Sequence, residues 1–185
     1  KGSLNEKVLE NYYLCIAEDS PVPVIIYNMP KNTVLNLSSN LICMLSTHPN
    51  IVGIKDNSGN IVQIGEIING TDDNFVVFAG SASFLLPSLI LGADGGTLAL
   101  ANIMPDECQR ILEYFEKGNL VGAKLLQLSL LDINKAITSK WGVPGLKAAL
   151  DLMGRYGGPP RLPLLPLDEN ELVRLKSLMR KLSLI

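Results

Sequence analysis

Four short apolar runs recur along the first hundred residues, and their spacing is what most constrains the fold. They begin near positions 22, 51, 75 and 96, so successive starts lie 29, 24 and 21 residues apart. Each interval holds one strand, one helix and two turns, the rhythm of successive βα units joined by right-handed crossovers. The first run, Val22-Pro23-Val24-Ile25-Ile26-Tyr27, is continuously apolar, the pattern of a strand buried on both faces of a parallel sheet. Ile51 to Ile54, Phe75 to Ala79 and Thr97 to Ala101 are expected to follow as the second, third and fourth strands. Helices are expected over 37–45, introduced by Ser38 or Asn36, over 59–69 with an isoleucine-rich face, and over 84–91. Ahead of the first strand, Leu4, Val8, Tyr12 and Ile16 recur every four residues, which predicts a helix with Ser3 as N-cap and Pro21 beyond its end.

Beyond Pro105 the pattern is helical to the end, at about 106–117, 119–139, 143–153 and 168–183, with Gly157-Gly158-Pro159-Pro160 separating the last two. Four βα units admit a small open sheet or half of a (β/α)8 barrel, whose usual length is about 250 residues. An open sheet usually carries a glycine-rich phosphate loop between strand and helix, and neither GxGxxG nor GxxxxGK[ST] is present. Gly92-Ala93-Asp94-Gly95-Gly96 precedes a strand instead of a helix, so the half barrel is the better reading.

The second run ends in Gly53-Ile54-Lys55-Asp56-Asn57-Ser58-Gly59. In parallel α/β folds chemistry collects at the C-terminal ends of strands, where Lys55 would stand. A lysine held among apolar neighbours loses solvation of its charged form, and a neutral amine can attack a carbonyl to form a Schiff base. Taken alone, a strand-end lysine is more often simply solvated. The rest of the composition excludes more than it proposes. Net charge is −2 with no basic stripe, which argues against nucleic-acid binding. No apolar run approaches the ~20 residues of a membrane span. Cys15, Cys43 and Cys108 lack metal-type spacing and read as buried thiols of a reducing compartment, and the single His48 leaves no His-rich metal site. The chain opens with Lys1-Gly2-Ser3 and no recognisable leader, so a cellular address is not legible there.

Four motifs in register carry a resemblance. Tyr27-Asn28-Met29-Pro30-Lys31-Asn32-Thr33, Gly53-Ile54-Lys55-Asp56, Ala79-Gly80-Ser81, and Gly92 to Asn102 followed by Pro105 resemble the strand-end loops of the pyruvate-dependent Schiff-base aldolases, which include dihydrodipicolinate synthase and N-acetylneuraminate lyase. Trp141 to Lys147 resembles the start of a late helix in that family. The resemblance implies an α/β TIM (β/α)8 barrel, of which 1–105 would be the C-terminal half (strands five to eight) and 106–185 the last barrel helix and a C-terminal helical region. It implies Lys55 as the Schiff-base lysine, Tyr27 as a proton relay, and Asn57, Gly80 and Thr97 as substrate-binding positions. No metal or other cofactor is implied, because the iminium itself serves as electron sink. The expected partners are small 2-oxo acids (pyruvate, 4-hydroxy-2-oxoglutarate) and further copies of the chain, tetrameric in the family, with no nucleic acid or membrane.

Departures from the pattern bear on the substrate. Where dihydrodipicolinate synthases usually carry an arginine two residues past the loop proline, this chain has Asn32, which cannot make the bidentate carboxylate contact. The His48 to Gly53, Ala79 to Ala82, Gly95-Gly96 and Tyr156 to Pro159 segments look most like the branch of animal mitochondria that splits 4-hydroxy-2-oxoglutarate into pyruvate and glyoxylate. That branch would be expected to carry serine where this chain has Asn57. The family's first four βα units have no counterpart, which implies a C-terminal part of such an enzyme. Condensation of the dihydrodipicolinate type, and a non-catalytic form acting through subunit association, remain the alternatives.

Overall fold

A computed structural model describes residues 5–185, which form two compact units: 5–80 with Pro87–Thr97, and Ser81–Leu86 with Leu98–Ile185. The first unit runs α1 (Glu6–Asp19), β1 (Val24–Asn28), α2 (Pro30–Thr33), α3 (Ser39–Leu45), β2 (Ile51–Asp56), α4 (Ile61–Gly70) and β3 (Val76–Ala79). Helix α5 (Leu85–Leu91) and β4 (Gly95–Gly96) follow. All four strands are parallel, in the order β1-β2-β3-β4, so each strand pairs with its successor as the spacing predicts.

The sheet's helix-facing side is dry. Ile26, Ile54 and Val77 are register partners there, and α3 and α4 contribute the buried Leu41, Ile42, Leu45, Ile64 and Ile67. Removing such side chains from water is the main stabilising term, about 1.5–3 kcal/mol each. Ser38, one of the two expected caps of α3, accepts from the Leu41 N–H, and Asn60 caps α4 by accepting from those of Val62 and Gln63. The opposite side of the sheet departs from the reading of strands buried on both faces. Ile25 is 48 % exposed and Tyr27 51 %, because among the described residues no second layer covers them. Gly53 is required where β2 meets β3, since a Cβ there would stand 2.5 Å from the Val76 carbonyl oxygen.

Three further expectations need correction. The expected cap Ser3 and the first stripe residue Leu4 lie outside the described residues, and Asn5 caps α1 instead. Val8, Tyr12 and Ile16 are exposed, because α1 meets α3 through the neighbouring face that buries Leu9 and Ala17. The fourth strand is two residues long and lies earlier than Thr97 to Ala101. Asp94 already meets β3, its carboxylate accepting from the Val77 N–H at 2.8 Å, and β3 ends at Ala79. After Thr97 donates to the Ala79 carbonyl the chain has no ladder left to follow, and Ala99–Asn102 winds into a 3-10 turn.

Val34, at the end of α2, adopts φ 57° and is 93 % exposed. A β-branched side chain in the left-handed region costs about 1–2 kcal/mol and here gains no burial in return. Val34→Gly is expected to raise stability by about 0.5–1 kcal/mol after the extra flexibility of the unfolded glycine is subtracted. A higher urea midpoint at unchanged m value would register it.

The second unit is helical: α6 (Pro105–Glu116), α7 (Leu120–Ser129), α8 (Leu131–Lys135), α9 (Gly142–Leu152) and α10 (Glu169–Lys181). The single helix expected over 119–139 is interrupted at Leu130 and ends in a π-wound turn, Ala136–Lys140. Its buried amides are anchored, Gln127 to the Ala82 carbonyl and Asn134 to the Ser81 and Ser83 hydroxyls. Thr138 bonds back to the Asn134 carbonyl at 2.6 Å, a contact that bends helices and accompanies the widened turn. The Gly157-Gly158 connector is held by Asp151, which accepts from both glycine N–H groups, and by Lys147, whose ammonium donates to the Gly157 carbonyl at 2.6 Å. A full capping box, Asp168 with Glu171, starts α10.

Only one of the three cysteines is buried. Cys15 lies on the exposed side of α1, Cys43 is half-buried and Cys108 is enclosed. Burial, with the Glu107 carboxylate adding to it, pushes the Cys108 thiol up to about 11. At pH 8 about one Cys108 in a thousand would be thiolate, so iodoacetamide is expected to label Cys15 while leaving Cys108 unmodified. Peptide mass mapping reads the difference, and labelling of Cys108 should rise about tenfold per pH unit below 11.

Candidate active site

Strand register brings the first two site residues together. Tyr27 on β1 and Lys55 on β2 are direct Cα partners, and Phe78 on β3 is the next residue in the same row. Because strand side chains alternate, all three point to the sheet face opposite the helices. The Lys55 ammonium lies 4.3 Å from the centre of the Tyr27 ring, within cation–π range. Lys55 is half-buried, less enclosed than the apolar run around it suggests. The Tyr27 hydroxyl has no hydrogen-bond partner among the described residues, and the residue is about half exposed.

The other three positions stand on the same rim, one step further along the chain. Each strand-end carbonyl accepts from the first residue past the next strand: Asn28 from the Asn57 N–H at 2.8 Å, Asp56 from Gly80 at 2.8 Å, and Ala79 from Thr97 at 2.9 Å. The N–H groups of Gly80 and Thr97 are thereby taken up. Asn57 donates its amide to the Gly80 carbonyl at 2.9 Å, while its own Oδ1 is buried and unpartnered. Glycine is needed at 80, because a Cβ there would lie 1.8 Å from that oxygen and 2.7 Å from the Asp56 carbonyl. Asn32 sits exposed on α2.

The side chains beneath this rim were not singled out by sequence. Asn28 and Asp56 follow Tyr27 and Lys55, so they point the other way, and they are 1 % and 0 % exposed. The Asp56 carboxylate accepts from Asn28 Nδ2 at 2.7 Å, Gln63 Nε2 at 3.2 Å, and the Ser58 N–H and hydroxyl at 2.8 and 2.5 Å. Asn36 links the set, accepting from Asn28 and donating to Gln63. In sequence, Asn28 and Asp56 show only as the polar residues directly after Tyr27 and Lys55, within the two quoted motifs at the ends of apolar strands. Among the described residues no group of three His, Cys, Asp or Glu side chains could hold a metal, and no helix is long and apolar enough to cross a membrane.

Comparison with known proteins gives consistent neighbours. The sequence profile of the dihydrodipicolinate synthetase family matches residues 3–182. The 4-hydroxy-tetrahydrodipicolinate synthase of Archaeoglobus fulgidus is 35% identical over 181 residues, which is 98% of this chain and 63% of that protein. Among solved structures, the dihydrodipicolinate synthase of Cyanidioschyzon merolae with lysine bound superposes with a TM-score of 0.93 at 29% identity, covering 100% of this chain and 63% of that one. A prophage protein of E. coli K12 from the same family, in complex with pyruvate, gives a TM-score of 0.89 at 28% identity, covering 99% and 63%. The chain therefore spans less than two thirds of the length of these relatives.

Proposed function

The chain belongs to the dihydrodipicolinate synthetase family, an α/β barrel fold with a parallel sheet followed by C-terminal helices, and from that premise we propose that its rim is the Schiff-base site of a pyruvate-dependent class I aldolase. The observation that carries the proposal is the Tyr27–Lys55 pair: an amine and a phenol facing one another at the C-terminal ends of adjacent parallel strands. In this reading the four strands correspond to the fifth to eighth of a (β/α)8 barrel within 1–105, with 106–185 as the last barrel helix and helical extension. Asn57, Gly80 and Thr97 shape the pocket for the 2-oxo acid.

The chemistry follows from the two side chains. The neutral Lys55 amine adds to the C2 carbonyl of a 2-oxo acid, and the carbinolamine takes up a proton and loses water to leave a protonated imine. For a 4-hydroxy-2-oxo acid, Tyr27 lies in the relay that takes the C4 hydroxyl proton. The C3–C4 bond breaks, its electron pair moves into the iminium, and an aldehyde leaves. The remaining enamine is protonated at C3, and water hydrolyses the imine to release pyruvate and free Lys55. With 4-hydroxy-2-oxoglutarate the aldehyde is glyoxylate. Asn32 argues against condensation of the dihydrodipicolinate type, because dihydrodipicolinate synthases usually carry an arginine there for the second substrate's carboxylate. A mitochondrial site and homo-tetrameric assembly are proposed with the aldolase reading.

The names of the curated relatives favour a second reading, condensation of pyruvate with aspartate semialdehyde. The exposed sheet face carrying Ile25 and Tyr27 favours a third, a form acting through subunit association. The deciding experiment incubates the chain with pyruvate, reduces with borohydride and maps the adduct. Modification of Lys55 is expected, and its absence from a folded chain would leave association. Added 4-hydroxy-2-oxoglutarate should then release glyoxylate, whereas consumption of aspartate semialdehyde in its place would assign the synthase.

A further inference from the structure

A buried carboxylate with no cation beside it is an unusual thing to keep at the end of an apolar strand. Neither ion pair among the described residues involves Asp56, which is completely enclosed. An apolar residue of similar volume would avoid the desolvation cost but would leave the Asn28, Gln63 and Ser58 donors without their acceptor. What the carboxylate does have is position. Its side chain bonds across the strands to Asn28 in the row directly behind Lys55 and Tyr27. A slip of one residue between β1 and β2 would turn Lys55 or Tyr27 to the wrong face, and the Asn28–Asp56 bond opposes that slip at the site itself. Ser58 and Gln63 tie the same carboxylate to the loop after β2 and to α4, and Asn28 Oδ1 accepts from the Leu37 N–H, tying in the segment before α3.

We infer that Asp56, with Asn28, Ser58 and Gln63, is a positioning cluster that holds the Lys55 amine against Tyr27 and so sets its reactivity. The inference rests on the aldolase reading for its catalytic meaning, and its test is built to separate the two. In Asp56→Asn an NH2 group replaces one acceptor, and it must face either the Ser58 donors or those of Asn28 and Gln63. The reciprocal pair Asn28→Asp with Asp56→Asn restores a donor–acceptor match, with the Asn36 and Gln63 amides free to turn over.

Two rates are measured on the full chain: reductive trapping of pyruvate on Lys55, and acetylation of Lys55 by trace acetic anhydride relative to Lys7 in the same sample. Circular dichroism and thermal melting report the fold. Asp56→Asn is expected to slow trapping at least tenfold and to change the Lys55:Lys7 acetylation ratio at least threefold, and the reciprocal pair to bring both back to within about twofold of wild type. Wild-type acetylation ratios in a folded Asp56→Asn chain would overturn the inference, as would a reciprocal pair that folds but rescues neither rate. If the wild-type chain traps no pyruvate while the acetylation ratio still shifts and is rescued, the aldolase reading falls and the positioning role stands. Should Asp56→Asn fail to fold, Ser58→Ala, which removes one of the four donors, decides: a shift in the same ratio supports the cluster and an unchanged ratio overturns it.

Discussion

Lys55→Arg is expected to abolish the borohydride-trapped pyruvate adduct, a loss of roughly a thousandfold or more in adduct yield. The substitution isolates the chemistry from the charge. An arginine keeps a cation over the Tyr27 ring, where such a contact contributes about 0.5–1 kcal/mol at an exposed site. A guanidinium is delocalised and always protonated, so it has no free electron pair with which to form an imine. Stability should therefore change by less than about 1 kcal/mol while adduct formation disappears. An adduct of wild-type yield in Lys55→Arg, mapped to another lysine, would remove the Schiff-base role from this position. Lys31 on α2 is the nearest such lysine in sequence to the Tyr27 loop, and peptide mapping distinguishes the two directly.

Much of this arrangement is legible in sequence because period and position carry it. The intervals between apolar runs give the order of β1 to β3, and Lys55 and Tyr27 are visible as polar groups closing apolar strands. Parallel register then makes them partners, which spacing alone does not establish. The parts that escape are those decided by tertiary contacts. The Val8–Tyr12–Ile16 stripe has helical period, but which face of α1 is buried depends on where α3 lies. The Thr97–Ala101 run has strand-like composition, but its neighbour β3 stops at Ala79 and leaves it nothing to pair with. Asn28 and Asp56 look like loop residues when read along the chain. They become a buried hydrogen-bonded pair only once two strands 28 residues apart are set side by side. Cys15 and Cys108 have the same composition signal and opposite environments for the same reason.

Tyr27→Phe separates imine formation from the proton transfers that follow it. The phenylalanine keeps the ring beneath the Lys55 ammonium, at 4.3 Å in the present geometry, and removes only the hydroxyl. That hydroxyl is without a hydrogen-bond partner among the described residues, and Tyr27 is about half exposed, so stability should stay within about 0.5 kcal/mol of wild type. Imine formation needs chiefly the amine and the carbonyl, and the trapped adduct should persist. Enamine formation requires a proton to leave C3 of the bound pyruvate, and general acid–base catalysis by a positioned group contributes about 10²–10⁴-fold. The measurement is exchange of the pyruvate methyl protons with deuterated solvent, followed by proton NMR in parallel with borohydride trapping. Exchange slowed by about 10²-fold or more, with the adduct retained, would place the Tyr27 hydroxyl in the relay. Exchange at the wild-type rate would make Tyr27 a platform for the lysine, with the proton carried by another group. Loss of adduct and exchange together, in a folded chain, would move the hydroxyl's role back to carbinolamine dehydration. The same face-to-face pair thus supplies two separable functions, nucleophile and proton carrier, and the two substitutions test them one at a time.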